Sequence, residues 1–123
     1  MTTGMGRGIY FNAGTPWTAV SRSHLETLST QQGVNMATRV YFAALSRLEP
    51  AQYATFDMGE MRDILGEEGE PVSCQSATDA VRRAKDAGLI SERSTVRQVW
   101  IDDRHAQVGK YRRGTPRSVA TNF

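Results

Sequence analysis

The side chains best suited to chemistry in this sequence are polar and basic, and they are concentrated between residues 73 and 97. In the segment 74–87, neutral hydrogen-bonding groups come first and cations follow one or two turns later. The members of this set, with the residue that precedes the segment, are Ser73, Gln75, Ser76, Thr78, Arg82 and Arg83. Hydroxyl and amide groups can read base edges, whereas arginine binds phosphates or guanine. The chemistry indicated is recognition of double-stranded DNA.

Other kinds of site have less support. His24 and His105 are far apart in the sequence, and neither has a metal-ligand spacing with Cys74. The acidic residues at 67–70 lie in a turn between a glycine and a proline, which favours a solvated loop. The helix dipole at Cys74 would favour the thiolate, so redox sensitivity is a minor hypothesis beside a purely structural role. We expect no metal, no cofactor and no enzymatic activity.

The composition is that of one globular domain. The chain has 123 residues, of which 39% are hydrophobic and 23% charged, enough for a modest core. No apolar run approaches the ~18 residues of a membrane span, and residues 1–8 lack the hydrophobic stretch of a secretory signal. The single cysteine, Cys74, cannot form an intrachain disulfide, which suits a reducing compartment. We expect a cytoplasmic protein without membrane contact.

Positive charge is concentrated towards the C-terminus. The net charge is only +2, but residues 71–123 carry ten basic and five acidic side chains. We expect residues 104–123 to form a loosely ordered basic tail that adds DNA affinity without specificity. The cations of this tail include Lys110, Arg112, Arg113 and Arg117. The alternative is that these charges only solvate the surface.

Two helices are predicted in the first half of the chain. The first covers residues 23–30, where Ser23 and Glu26 have the spacing of a capping box. The second runs from the N-cap Asn35 to residue 48 and has a continuous apolar stripe at helical spacing. The side chains expected to point away from that stripe, into solvent, are Arg39, Ser46 and Arg47.

Short elements follow this second helix. Residues 54–56 can pair as a strand, and the apolar spacing from 58 to 65 predicts a two-turn helix. Gly66 stands where a helix C-cap needs a positive φ, and residues 67–70 are then expected to form a turn.

The helix 74–87 and a hairpin complete the predicted domain. Ser73 is the expected N-cap of the helix and Gly88 its stop. The inward stripe of this helix consists of Ala77, Ala80, Val81 and Ala84. Two strands over 89–93 and 96–101, joined near Ser94 and Thr95, would then form a wing. Near the tip of that wing, the cations expected to touch the DNA backbone or minor groove are Arg93 and Arg97. The predicted fold class is mainly α with a small β-hairpin (α+β).

The segment Val72–Ile90, with the sequence VSCQSATDAVRRAKDAGLI, resembles the recognition-helix stretch of bacterial, phage and plasmid winged helix-turn-helix proteins. The order of elements from residue 35 to residue 102 is similar as well. Two residues depart from the usual pattern: Cys74 stands where a basic residue is common, and Asp79 adds a negative charge. The resemblance implies a winged helix-turn-helix domain over 21–103, after a loosely packed segment 1–20.

This resemblance implies a sequence-specific DNA-binding protein, most simply a transcriptional regulator, with helix 74–87 in the major groove. A homodimer is expected because one such domain has a small footprint. Residues 9–34 would form the dimer contact or, alternatively, pad the monomer core. Two other functions stay open: a plasmid or phage replication or partition accessory protein, and a winged-helix module that binds protein instead of DNA.

Overall fold

A computed structural model describes residues 9–12 and 14–109 of the chain. The elements in chain order are α1 (Arg22–Ser29), α2 (Met36–Ser46), β1 (Tyr53–Thr55), α3 (Glu60–Ile64), α4 (Cys74–Asp86) and β2 (Gln98–Trp100). The two strands form one antiparallel sheet, in which Ala54 is paired with Val99. This architecture confirms the prediction of a mainly helical α+β chain. None of the helices in the described residues has the length and apolar character needed to cross a membrane.

Side-chain caps fix where the longer helices begin. The Asn35 side chain accepts a hydrogen bond from the Thr38 amide at 2.9 Å, and Ser73 accepts one from the Ser76 amide at 3.0 Å. Both N-caps were predicted. The N-cap of α1 is Ser21 rather than Ser23, since the Ser21 hydroxyl accepts from a backbone amide of the first turn. Helix α1 therefore begins and ends slightly earlier than predicted.

Helix α2 is the centre of the core, with α1 and α4 both packed against it. The predicted inward stripe of α4 is confirmed, because all four side chains are buried: Ala77, Ala80, Val81 and Ala84. They share one apolar cluster with the α2 residues Val40, Ala43 and Ala44, none of which is exposed at all. Small side chains on both helices leave α4 close to α2, so the opposite side of α4 faces solvent.

Arg39 of α2 was predicted to face solvent, and this was wrong: the residue is only 3% exposed. Its Nε donates to the Ser29 carbonyl oxygen at 2.9 Å, and its Nη2 donates to the Ile64 carbonyl oxygen at 2.8 Å. These carbonyls lie at the C-terminal ends of α1 and α3, where the last turn of a helix lacks internal donors and carries partial negative charge. Burial lowers the pKa of Arg39, and the Glu67 carboxylate acts in the opposite direction.

The link between α3 and α4 also differs from the prediction in one detail. Gly66 does not adopt a positive φ. A Cβ at this position would instead overlap the Glu70 carbonyl. Glu67 and Glu70 exchange two backbone hydrogen bonds in a tight turn, at 3.1 and 2.8 Å. Glycine is therefore needed here for close approach of two backbone segments rather than for a left-handed conformation.

The predicted strand over residues 89–93 is absent, and this part of the hairpin prediction was wrong. The Ser94 amide donates to the Ser91 carbonyl at 3.0 Å, so the chain already turns at residues 92–93. The buried Ser94 hydroxyl then accepts from the Trp100 amide at 2.9 Å, which takes the place of a ladder bond. One backbone hydrogen bond joins residues 89–93 to β2, from the Ser91 amide to the Trp100 carbonyl at 2.8 Å. The partner strand of β2 is β1, in which Ala54 pairs with Val99, 45 residues later in the chain.

Replacing Arg39 with methionine should lower the free energy of unfolding by about 2–4 kcal/mol, because two helix-end carbonyls lose a buried donor. Arg22→Met is the matched control. The Arg22 guanidinium also donates to a carbonyl, that of Leu48, but Arg22 is exposed and water can replace it. The control should cost less than about 1 kcal/mol. Urea unfolding followed by circular dichroism measures both, and equal losses would contradict the role given to Arg39.

Candidate nucleic-acid interface

The outward side of α4 carries the polar residues that the sequence singled out. Gln75, Thr78, Arg82 and Arg83 are exposed, and Ser76 is half-buried. At 100° per residue they fall on one arc of the helix, opposite the buried alanines and Val81. The structure therefore brings these five predicted site residues onto one continuous surface.

Ser73, which was also predicted to bind DNA, is the N-cap of α4. Its hydroxyl accepts from the Ser76 amide and donates to the Ser76 hydroxyl oxygen at 3.1 Å. Ser73 remains exposed, as does the free thiol of Cys74 beside it. The first turn of α4 thus presents two linked hydroxyl groups whose positions are set by the cap.

A carboxylate occupies the middle of this surface. The Asp79 Oδ1 accepts from Gln75 Nε2 at 3.2 Å and pairs with Arg82 Nη2, also at 3.2 Å. Gln75, Asp79 and Arg82 lie at i, i+4 and i+7, so they form one row along the helix. Arg83 makes no ion pair with any residue in the described part of the chain. The charge of Asp79 was evident from the sequence, but its two contacts were missed, although their helical spacing could have predicted them.

The two cations expected near the tip of a wing each contact a residue in or next to the sheet. The Arg93 guanidinium stacks on the Trp100 ring, 3.6 Å from its centroid, and the Tyr53 ring packs against Trp100 at 4.9 Å. The Arg97 Nε donates to the Phe56 carbonyl at 3.2 Å. Both residues are still exposed. The two residues lie on either side of residues 94–96, in the loop that leads into β2.

Helix α4 and the following loop are held together at the C-terminal end of the helix. Gly88 takes a left-handed φ of 78°, as predicted for the helix stop. The Leu89 amide donates to the Ala84 carbonyl at 3.0 Å, and Lys85 Nζ donates to the Glu92 carbonyl at 3.4 Å. Arg93 directly follows Glu92 in the chain, so this cation lies near the last turn of α4.

The charge of this half of the chain is divided unequally. Between residues 71 and 109 there are six basic and five acidic side chains, which is close to balance. The remaining four cations, all beyond residue 109, are Lys110, Arg112, Arg113 and Arg117. The first three of these were predicted to contact DNA, and they lie outside the described residues. The excess positive charge is therefore not on α4 but in the sequence that follows Gly109.

A second surface lies on the α1 side of α2. Apolar side chains line a groove there, among them Phe11, Trp17, Val20, Tyr41 and Leu45. Leu25 of α1 is buried, whereas Trp17 and Val20 are more than half exposed. The segment 9–34 thus contributes both to the core and to an exposed apolar surface.

Comparison with known proteins found no family model, no curated protein and no solved structure that matches this chain.

Replacing Ser73 with alanine should lower the free energy of unfolding by about 1 kcal/mol, because the first turn of α4 loses its N-cap. Ser23→Ala is the matched control, since Ser23 is exposed and does not cap α1. The control should stay within about 0.5 kcal/mol of the unmodified protein. Urea midpoints measure both effects, and an unchanged midpoint for Ser73→Ala would show that the cap is not needed.

Proposed function

We propose that this chain is a winged helix-turn-helix protein that binds double-stranded DNA in a sequence-specific manner, with α4 in the major groove. One observation carries the proposal: α4 has a buried face of small apolar residues and an opposite face made of polar and basic groups. A major groove about 12 Å wide admits one such helix. The order α3, tight turn, α4 supports the same arrangement.

The polar groups on α4 are suited to different parts of the duplex. Gln75, Ser76 and Thr78 belong to the N-terminal half of the helix, where they would reach base edges. Arg82 and Arg83 lie one or two turns later and would bind guanine or phosphate. Ser73 would contribute through the first turn that it caps.

Two further contacts would flank the helix. The loop around residues 94–97 takes the place of a wing, and Arg93 and Arg97 beside it would meet the adjacent backbone or minor groove. Stacking on Trp100 leaves the edges of the Arg93 guanidinium able to donate hydrogen bonds. The tail cations Lys110, Arg112 and Arg113 would increase affinity for any duplex.

The biological role that fits best is transcriptional regulation by a homodimer on two half-sites. The exposed apolar groove beside Trp17 supports dimerisation, because no residue of α4 lines it and a partner there would leave α4 free for DNA. A replication or partition accessory protein would use the same surface on an array of sites. The near balance of charge over residues 71–109 favours a second candidate, a winged-helix module that binds protein.

Selection from a pool of random duplexes, at low and physiological salt, identifies the preferred site. On that duplex, Arg82→Ala should weaken binding by about 1–3 kcal/mol. Arg22→Ala is the control, because it removes the same charge from the exposed surface of α1. That variant should bind almost as tightly as the unmodified protein. Lys110→Ala should weaken binding to every duplex equally.

Two results would contradict the proposal. Equal affinities for Arg82→Ala and the unmodified protein would show that α4 does not read the site. Retention of no duplex at either salt would favour the protein-binding module.

A further inference from the structure

The acidic residue in the middle of α4 is the least expected group on a surface proposed to meet DNA. The side chain of Asp79 is 28% exposed and that of its partner Arg82 is 58% exposed. The Asp79 carboxylate is therefore the less exposed member of the pair. The same oxygen, Oδ1, also accepts from Gln75.

This arrangement restricts two of the proposed reading groups at once. Gln75 uses one N–H of Nε2 on the carboxylate, which leaves its second N–H and Oε1 for a base. Arg82 uses Nη2, which leaves its remaining N–H donors for the two acceptors of guanine, O6 and N7. A long side chain that is already held in place loses less conformational entropy when it binds.

The carboxylate has the opposite effect on binding to arbitrary DNA. It repels nearby phosphates, and it neutralises the charge of Arg82 that would otherwise attract them. Exposed ion pairs contribute little to folding, so the pair matters more for what Arg82 can bind than for stability. A negative charge at this position lowers affinity for every duplex unless the bases offer Arg82 the right acceptors.

We infer that Asp79 is a specificity-determining residue, which positions Gln75 and Arg82 for a guanine-containing site and disfavours other duplexes. This inference rests on the proposed DNA-binding function. It predicts that loss of the carboxylate makes the protein bind more DNA with less selectivity.

The test compares Asp79→Asn with Asp86→Asn. Both substitutions remove one negative charge from α4, but in the described residues Asp86 holds no side-chain partner and is exposed. Binding is titrated on the duplex selected by the unmodified protein and on a scrambled duplex of equal length. The selectivity is the ratio of the two dissociation constants. Circular dichroism verifies that both variants are folded.

Asp86→Asn should strengthen binding to both duplexes alike and leave the selectivity unchanged. Asp79→Asn should strengthen binding to the scrambled duplex further and reduce the selectivity about tenfold, the size of one good base contact. In an Arg82→Ala background, Asp79→Asn should reduce the selectivity much less, because only Gln75 is left of the two groups that Asp79 positions.

The outcomes separate the inference from the proposed function. Equal selectivity for Asp79→Asn, Asp86→Asn and the unmodified protein would overturn the role of Asp79 while leaving DNA binding intact. A loss of selectivity that persists at full size in the Arg82→Ala background would also overturn it. An unmodified protein that binds neither duplex would overturn the proposed function and the inference together.

Discussion

The arrangement of the helices depends on the hydrogen bonds that the buried guanidinium of Arg39 donates. A buried charge is costly unless it is fully hydrogen-bonded, and here the acceptors are carbonyls at the C-terminal ends of α1 and α3. One side chain of α2 therefore fixes the ends of both neighbours. Because α3 leads through the tight turn at 67–70 into Ser73, the start of α4 is set by the same contact.

Helix α4 starts at this fixed position and packs against α2 through small side chains. Its buried residues are three alanines and Val81, so the helix lies close to α2 and exposes a wide polar arc. That arc is not strongly basic, since Asp79 neutralises Arg82 and the positive excess of the chain begins after Gly109. In the proposed function, α4 therefore supplies selectivity, and residues beyond the described part of the chain supply most of the electrostatic affinity.

Features set by neighbouring residues could be predicted from the sequence. The N-caps Asn35 and Ser73, the stop at Gly88 and the alanine stripe of α4 all depend on spacings within a few residues. Arg39 could not be predicted, because its acceptors lie 10 and 25 residues away and only the fold brings them together. The same holds for the hairpin, where the alternation over residues 89–93 was outweighed by an early turn and by the hydroxyl of Ser94. For the site, the outward face of α4 was predictable, whereas the anchoring of Arg93 on Trp100 required the structure.

An NMR titration shows whether DNA binds on the outer face of α4. Backbone amide shifts of the isotope-labelled protein are followed while a duplex from the selected pool is added at low salt. This binding mode predicts the largest changes at residues 73–86 and around Arg93 and Arg97, with little change at the groove beside Trp17. Changes confined to that groove, or none at saturating duplex, would contradict it.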